Sequence, residues 1–336
     1  MMQKPIHFLL LAVTALLLVS NLEGRTWKNS AGVEIEAELS GVDGVMALLQ
    51  KDGQIFRVPI ASLSAADQAF ILSWKPDASG SATAEKEDQT ETKKKGFCLS
   101  QNKYPDWAEK LKTLGVGWFY SWKPEQPEQI PEGIEYVPMV FGKEGRIDSS
   151  VESVLEAKSD AGFRFVLGYN EPDKADQSNM SVEAALADWP KLMSIELPLI
   201  SPAAAQAEGE WMEEFMDGID EAGHRVDYIA IHSYGGSNPN AFLDMLERVY
   251  RKFDRPLWIT EFAVGDWNAS NVSENRHSVD DIKNFMKKVL PRLDRLKYVY
   301  RYSWFSADPS DAHLGTSALF NEDGTLTELG EIYAKH

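Results

Sequence analysis

The sequence predicts an α/β fold, a (β/α)8 TIM barrel that follows a small β-rich domain. From Phe97 onward, strand-like apolar runs alternate with amphipathic helical segments. Eight such strands fit into roughly 240 residues, which is close to the usual size of this barrel. No glycine-rich phosphate loop follows the first strand, so we disfavour the alternative, a doubly wound open sheet.

The strand and helix assignments follow from the spacing of apolar residues. Short continuous apolar runs indicate buried strands, and apolar residues three and four apart indicate helices. The predicted strands span residues 97–100, 116–121, 136–141, 163–168, 197–201, 228–232, 257–260 and 298–304. The predicted helices span residues 107–114, 151–161, 182–195, 211–222, 241–253 and 279–293. Gly115 and Gly162 each follow a predicted helix, as helix-stop glycines do.

Residues 1–24 are predicted to be a secretory signal peptide. A polar segment with Lys4 and His7 precedes an apolar run over residues 8–19, which is too short to span a bilayer comfortably. An uncleaved anchor is the alternative, and the cleavage site stays open. We therefore expect a secreted or periplasmic protein that has no membrane contact after the signal is cleaved.

Residues 25–75 are predicted to form a small antiparallel β unit. Apolar and acidic residues alternate over residues 33–39, which is typical of a half-buried strand. Asp43-Gly44 and Asp52-Gly53 indicate turns between further short strands. Residues 76–95 lack apolar periodicity and end in three lysines, so they are predicted to be a flexible linker. The barrel domain is then expected over residues 96–336.

This small unit resembles the "RTW" domain that is related to the Sla-type homology domain. The resemblance rests on Arg25-Thr-Trp27, the Asp52-Gly53 hairpin and residues 58–67. It implies an SH3-like fold with a binding or spacing role, and it leaves the ligand open.

Charge and cysteine content restrict the expected partners. The net charge of −18 disfavours nucleic acid and anionic membranes, because both repel an acidic surface. A neutral substrate is compatible with this charge. The one cysteine, Cys98, cannot form an internal disulfide, and its side chain is expected to pack in the buried core. We expect a monomer.

Two predicted strands each end in a glutamate. Pro172 cannot donate to a sheet ladder, so the strand before it must stop and leave Asn170 and Glu171 at its carboxyl end. The strand over residues 257–260 is followed directly by Glu261. In barrels and other α/β sheets, this end of the strands carries the chemistry. We therefore expect the two carboxylates to face each other across one site.

Two facing carboxyl groups are the groups that glycosidic bond hydrolysis requires. One protonates the leaving oxygen, and the other attacks the sugar or activates water. An apolar setting and the partner's negative charge are expected to raise the pKa of the carboxyl group that acts as the acid. Asn170 is expected to donate a hydrogen bond to a sugar hydroxyl next to the reacting carbon. The alternative is that either glutamate is a surface residue or an ion-pair partner.

Other strand-end residues are candidates for substrate contact. Trp122, Tyr234 and Trp304 could stack against sugar rings, although core packing explains each of them equally well. His232 could bind the nucleophile or a sugar hydroxyl, or be a structural histidine, and Trp267 could line a subsite or anchor a loop. The histidines show no HxH or HExxH spacing, so no metal and no other cofactor is expected. A Ser-His-Asp triad is not expected either, because its Gly-x-Ser-x-Gly elbow is missing.

Residues 96–334 resemble glycoside hydrolase family 128, a family of clan A barrels that cleave β-1,3-glucan with retention. The motifs that carry the resemblance are Gly117-Trp-Phe-Tyr-Ser-Trp122, Leu167-Gly-Tyr-Asn-Glu-Pro-Asp173, Ile229-Ala-Ile-His-Ser-Tyr234, Trp258-Ile-Thr-Glu-Phe262 and Tyr302-Ser-Trp-Phe305. The resemblance implies that Glu171 is the acid/base and that Glu261 is the nucleophile. Tyr120, at the end of the second predicted strand, is a further candidate for substrate contact. Residues 122–133 depart from the family, because a Pro- and Glu-rich stretch stands where its second helix is expected.

The sequence therefore predicts a retaining endo-β-1,3-glucanase that needs no cofactor and acts on a β-glucan polysaccharide or oligosaccharide. Two alternatives stay open. A clan A glycosidase of another β-glucan linkage would keep both glutamates, and a barrel that only binds carbohydrate would bind without turnover.

Overall fold

The computed structural model describes residues 25–29, 34–43, 46–51, 54–73 and 93–336. The chain divides into two compact units, one up to Pro76 and one from Asp77 onward. The predicted signal peptide and most of the predicted linker lie outside the described residues. Within the described part of the chain, no helix has both the length and the hydrophobicity that crossing a membrane requires.

The first unit is an antiparallel sheet with a short helix. Its strands are β1 (Arg25–Lys28), β2 (Glu34–Asp43), β3 (Met46–Lys51) and β4 (Gln54–Pro59), paired in sequence order. A 3-10 turn (Ile60–Ser62) and α1 (Ala65–Ser73) follow. Trp27 is buried at the centre, where its indole N–H donates to the Ala37 carbonyl over 2.9 Å. Asp67 accepts hydrogen bonds from the Arg25 side chain and from the Lys28 backbone, which ties α1 to β1.

The second unit alternates strands and helices, as predicted. Its strands are β5 (Lys95–Cys98), β6 (Trp118–Tyr120), β7 (Glu135–Tyr136), β8 (Val166–Leu167), β9 (Leu199–Ile200), β10 (Ile229–Ser233), β11 (Leu257–Phe262) and β12 (Val299–Phe305). Its helices are α2 (Trp107–Leu114), α3 (Ile147–Ala161), α4 (Val182–Met193), α5 (Glu210–Ala222), α6 (Pro239–Phe253), α7 (Val279–Arg295) and α8 (Glu328–Lys335). Gly115 and Gly162 adopt left-handed φ angles of 62° and 65° at the ends of α2 and α3, which confirms both predicted helix stops.

The strands of the second unit pair in parallel. Six of them form one sheet in the order β10-β11-β12-β5-β6-β7, and β8 pairs with β9. Isolated parallel bridges extend these pairings: Met139 with Leu167 and Ile200 with Tyr228 link the two sheets, and Asn170 with Ala203 continues the pairing of β8 with β9. The predicted mixed α/β fold with a parallel sheet is therefore confirmed.

The two faces of these strands are buried in different ways. Leu257 and Ile259 of β11 belong to the large apolar cluster that also contains the buried faces of the helices. Trp258, between them, belongs to a second cluster that is rich in aromatic side chains. This alternation along one strand leaves both faces apolar, which is typical of a parallel sheet.

The predicted linker extends too far at its carboxyl end. Lys95 already belongs to β5, and its ammonium group donates to the Tyr333 carbonyl over 2.8 Å. The ammonium group of Lys94 donates to the Asp294 and Leu296 carbonyls over 2.9 and 3.0 Å. Burial, with the nearby charge of Lys93 second, lowers the pKa of Lys95 to about 8. Both lysines therefore belong to the folded unit, because their aliphatic segments pack against it while their ammonium groups donate to backbone carbonyls.

The stretch between β6 and β7 contains turns and no helix, in agreement with the departure predicted there. β8 and β9 are also shorter than predicted, with two residues each. Beyond these short strands the pairing continues irregularly, because the Gly168 N–H donates to the Ile200 carbonyl over 3.1 Å and Asn170 forms an isolated parallel bridge with Ala203.

Candidate active site

Glu171 is placed at the end of β8 by an unusual backbone. Its φ is 40°, in the left-handed region that few non-glycine residues adopt. Its backbone N–H donates to the Ala203 carbonyl over 2.8 Å, and the N–H of Asn170 donates to the Phe141 carbonyl over 3.0 Å. Backbones strained in this way persist where their surroundings fix them, and they are common at functional sites.

Glu261 lies inside β11 and is turned by an irregularity in the sheet. Ile231 pairs with Ile259, but the next pair is His232 with Glu261, so Thr260 is an extra residue on β11. An extra residue of this kind changes the face on which the following side chain lies. It brings the Glu261 carboxylate to the same side as His232.

Glu171 and Glu261 lie on either side of His232, and all three side chains are buried. The Nδ1 atom of His232 is 3.0 Å from Glu171 Oε1, and its Nε2 atom is 3.3 Å from Glu261 Oε1. One ligand-type atom from each of the three residues lies within 4.8 Å of the others. The two carboxylates therefore face each other at the short distance that a retaining glycosidase needs, about 5 Å.

Glu261 is surrounded by hydrogen-bond donors. Its Oε1 atom accepts from the Tyr120 hydroxyl over 2.7 Å and from the Trp122 indole N–H over 2.8 Å. Its Oε2 atom accepts from the Tyr234 hydroxyl. Burial, with the charge of Glu261 second, raises the pKa of both tyrosines well above the usual range. Both hydroxyls therefore stay protonated and donate to the carboxylate.

The pKa of Glu171 differs from the prediction. Burial raises it, but the hydrogen bond and charge of His232 and the charge of Lys174 outweigh burial, so it lies below its usual value. Burial lowers the pKa of His232, but the charges of Glu261, Glu171 and Asp173 outweigh burial and raise it. The predicted rise for Glu171 was wrong because the sequence did not show that two cations lie beside this carboxyl group.

The three residues open into a cleft of about 1050 Å³. It is lined by Trp122, Asn170, Tyr234 and Trp267, which are four of the candidates for substrate contact. Trp267 is the most exposed of them at 56%, and its indole N–H donates to the Tyr234 carbonyl over 3.1 Å. Its ring therefore presents open surface beside the two carboxylates.

Trp304 does not lie in the cleft, contrary to the prediction. Its side chain is fully buried, and its indole N–H donates to the Ser317 carbonyl over 2.9 Å. Successive side chains of a strand point to opposite faces, so the next residue, Phe305, lines the cleft instead. Tyr120 is also fully buried and contacts the site through Glu261.

Several residues of the site were not predicted. Lys174 lies 3.5 Å from Glu171 Oε2, and Gln177 accepts the Asn170 amide N–H over 3.1 Å. Asp173 accepts the backbone N–H groups of Ala205 and Gln206, which lie at the rim of the cleft. Lys174 follows Glu171 by three residues, and this short spacing is the sequence signal that could have predicted its contact with the Glu171 carboxylate.

By distance alone, Glu171, His232 and Glu261 could hold a metal ion. The Nδ1 atom of His232 is hydrogen-bonded to Glu171, its Nε2 atom lies 3.3 Å from Glu261 Oε1 without a hydrogen bond, and Glu261 already accepts three hydrogen bonds. These contacts explain the cluster as a set of carboxylates neutralised by a histidine and by hydrogen bonds.

Comparisons of the sequence and the structure with known proteins agree on one family of enzymes. Residues 96–333 match the family model described as glycosyl hydrolase catalytic core. A GH128 (subgroup I) endo-β-1,3-glucanase from Amycolatopsis mediterranei, solved with laminaritriose, is 32% identical with a TM-score of 0.63; the match covers 73% of this chain and 99% of that one. A GH128 (subgroup II) endo-β-1,3-glucanase from Sorangium cellulosum is 28% identical with a TM-score of 0.59; that match covers 72% of this chain and 97% of the other.

A curated relative extends the comparison to a eukaryote. Alkali-sensitive linkage protein 1 of Schizosaccharomyces pombe is 31% identical over 238 residues, which is 68% of this chain. The chain spans 42% of the length of that protein. The matched family model covers most of the second unit, including both glutamates and the histidine between them. The chain therefore belongs to the glycosyl hydrolase catalytic core family, with a catalytic core like those of the GH128 enzymes.

Proposed function

We propose that this chain is a retaining endo-β-1,3-glucanase in which Glu171 is the acid/base and Glu261 the nucleophile. The observation that carries the proposal is the pair of buried carboxylates, with ligand-type oxygens within 4.8 Å, at the strand ends of a family-matched core. An inverting enzyme needs a wider gap of about 6.5–9.5 Å to hold a water molecule between them.

The reaction proceeds in two displacements. A Glu261 oxygen attacks the anomeric carbon while Glu171 gives a proton to the departing glucan oxygen, which leaves a glycosyl ester on Glu261. Glu171 then takes a proton from water, and this water breaks the ester. The proton that Glu171 donates is shared by Glu171 and His232, whose side chains are 3.0 Å apart. It moves to the Glu171 carboxyl group as negative charge develops on the leaving oxygen.

Asn170 supports recognition of a sugar hydroxyl in this mechanism. Its amide N–H is engaged by Gln177, and its buried Oδ1 atom has no hydrogen-bond partner among the described residues. A buried acceptor without a partner is costly, so a ligand donor is expected to meet it. The sugar hydroxyl would therefore donate to Asn170 Oδ1, whereas the sequence had suggested that Asn170 donates.

The β-1,3 linkage and the endo action rest on the relatives. The matches to this chain cover nearly the whole length of the two endo-β-1,3-glucanases, and one of these enzymes was solved with laminaritriose. The cleft has a volume above that of most small-molecule sites and carries the exposed ring of Trp267, which fits a substrate of several sugar units.

The same proposal extends to the architecture. We infer that the eight strands of the second unit close into a (β/α)8 barrel, supported by the isolated bridges Met139–Leu167 and Ile200–Tyr228 between the sheets. The four antiparallel strands of the first unit support an SH3-like domain with a binding or spacing role. We further propose residues 1–24 as a signal peptide, residues 76–93 as a linker, and a secreted or periplasmic monomer.

The first test is release of reducing ends from soluble β-1,3-glucan by wild type, Glu171→Gln and Glu261→Gln, with circular dichroism to check folding. We expect activity from the wild type and a loss of about 10³-fold or more in both folded variants, because each removes a group that the transition state needs. Equal activity of all three proteins would show that the glutamates are misassigned. Glucan binding without any turnover would favour the carbohydrate-binding alternative.

The two roles are separated by azide rescue of alanine variants. With Glu261→Ala, azide can replace the nucleophile and attack from its side, which gives an α-glycosyl azide. With Glu171→Ala, azide attacks the glycosyl ester and gives a β-glycosyl azide. Reversed product configurations would exchange the two assignments. Activity on β-1,4- or β-1,6-glucan only would keep the mechanism and reject the linkage.

A further inference from the structure

The two oxygens of Glu261 are hydrogen-bonded unequally. Oε1 accepts from Tyr120 and Trp122 and also lies 3.3 Å from His232 Nε2. Within the described part of the chain, Oε2 accepts one hydrogen bond, from the Tyr234 hydroxyl. Each hydrogen bond to a carboxylate oxygen lowers its nucleophilicity, so Oε2, with fewer such contacts than Oε1, is the better placed of the two oxygens to attack.

Trp122 is held for this contact at a conformational cost. Its φ of 58° lies in the left-handed region, which is unfavourable for a bulky side chain. Its ring packs edge-to-face against Tyr120 and Phe305, with centroids 5.3 and 6.1 Å away, and it lines the cleft. This backbone directs the indole N–H to Oε1, and it marks a constrained position in the way that strained active-site residues do.

We propose that Trp122 is a positioning residue whose indole N–H fixes Glu261 Oε1 as the carbonyl oxygen of the glycosyl ester, leaving Oε2 to attack. The proposal rests on the proposed function. In the first step, the Oε2–C1 bond forms and the C1–O bond to the glucan breaks, with the leaving oxygen protonated by Glu171. In the second, water adds to C1 and loses a proton to Glu171, and the Oε2–C1 bond breaks.

The hydrogen bond from Trp122 acts mainly on the second step. The carboxylate loses its charge as the ester forms and regains it as the ester breaks. A donor on Oε1 stabilises the charged form, so it assists departure of Glu261 and does not assist its attack. Removing the donor should therefore slow ester hydrolysis more than ester formation, and the ester should accumulate.

The test replaces Trp122 with 3-benzothienylalanine, which keeps the ring shape but has no N–H, and separately with Phe. A β-1,3-linked hexasaccharide is the substrate, kcat and KM are measured, and intact mass spectrometry detects the glycosyl-enzyme. We expect kcat to fall about 100- to 1000-fold, as for the loss of one donor to a developing charge, with KM falling in parallel. Ester should be seen in both variants and not in the wild type.

Trp211→Phe is the matched control. The indole N–H of Trp211 donates to the Met180 carbonyl over 2.8 Å, and Trp211 does not line the cleft. It should leave kcat and KM unchanged and show no ester.

An unchanged kcat in the benzothienylalanine variant would overturn the positioning role. A lower kcat without ester, or a rise in KM alone, would show that the ring only binds sugar. A wild type without hydrolysis would instead overturn the proposed function itself.

Discussion

At the scale of single residues, His232 decides the electrostatics of the site. Its two ring nitrogens lie 3.0 Å from Glu171 and 3.3 Å from Glu261, so one buried cation serves two carboxylates. Buried charges are tolerated when they are paired in this way. The pair Glu171–His232 therefore titrates as a unit, and its proton is available to the leaving group as long as the pair retains it.

His232→Gln should move the alkaline limb of the pH profile of kcat/KM to lower pH. In the wild type, the charges of the surrounding carboxylates raise the pKa of His232, so the pair keeps its proton above the usual range of histidine. In the variant, only the Glu171 carboxyl can hold the proton. Its pKa rises when the cation is lost, but a carboxyl group still deprotonates below the range of the wild-type pair. We also expect a loss of about 10- to 100-fold at the optimum.

The control is His224→Gln, which removes a histidine outside the cleft and should leave the profile in place. An alkaline limb that does not move in His232→Gln would mean that the pair does not hold the catalytic proton.

At the scale of elements, close approach between β8 and β9 sets the position of the acid/base. A Cβ atom on Gly168 would lie 2.8 Å from the Ile200 carbonyl oxygen and 3.0 Å from the Pro202 nitrogen. Both are backbone atoms, so neither can move aside cheaply. The chain leaves β8 at this glycine and reaches Glu171 three residues later.

Gly168→Ala should therefore weaken both stability and catalysis. Overpacking of a tight contact costs about 1–3 kcal/mol of unfolding free energy, and a shift of Glu171 should lower kcat about tenfold. Urea unfolding followed by circular dichroism, together with glucanase kinetics, measures the two effects.

Gly223→Ala provides the comparison for Gly168→Ala. It has a φ of 63° and open space around its Cβ position, so it should lose about 1 kcal/mol without a change in kcat. Equal kinetics in the two variants would argue against a role of this contact in placing Glu171.

At the scale of the whole molecule, the chain consists of two units, and the family match lies within the second. The solved Amycolatopsis mediterranei enzyme is covered over 99% of its length by this part of the chain. A catalytic unit of this size can bury its own core. Its amino-terminal edge, however, includes Lys94 and Lys95, whose ammonium groups donate to the backbone carbonyls of Asp294 and Tyr333.

A fragment of residues 93–336 should fold and keep kcat/KM on soluble β-1,3-glucan within about twofold of the full chain. A fragment of residues 96–336 should be less stable by about 3 kcal/mol, because it lacks both lysines and the several hydrogen bonds that they make, at about 1 kcal/mol each. Thermal and urea unfolding of the two fragments provide the comparison. Equal stability would contradict a structural role for the lysines, and an inactive, folded longer fragment would show that the first unit takes part in catalysis.

The sequence by itself determined the alternation of strands and helices, the two helix-ending glycines and the identity of the strand-end glutamates. These features depend on local periodicity and on backbone rules for proline and glycine, which act within a few residues. The sequence also put forward Trp122, Tyr234 and Trp267 as candidates for substrate contact, because they lie at or just past predicted strand ends, but it left core packing or loop anchoring open for each.

Only the tertiary structure decided which atoms meet. The extra residue Thr260 turns Glu261 toward His232, and the alternation along β12 places Phe305 in the cleft and Trp304 in the core. The lowered pKa of Glu171 likewise depends on His232, 61 residues away in the chain. Such outcomes depend on strand register and on long-range packing, and a shift of one residue along a strand reverses the face on which a side chain lies.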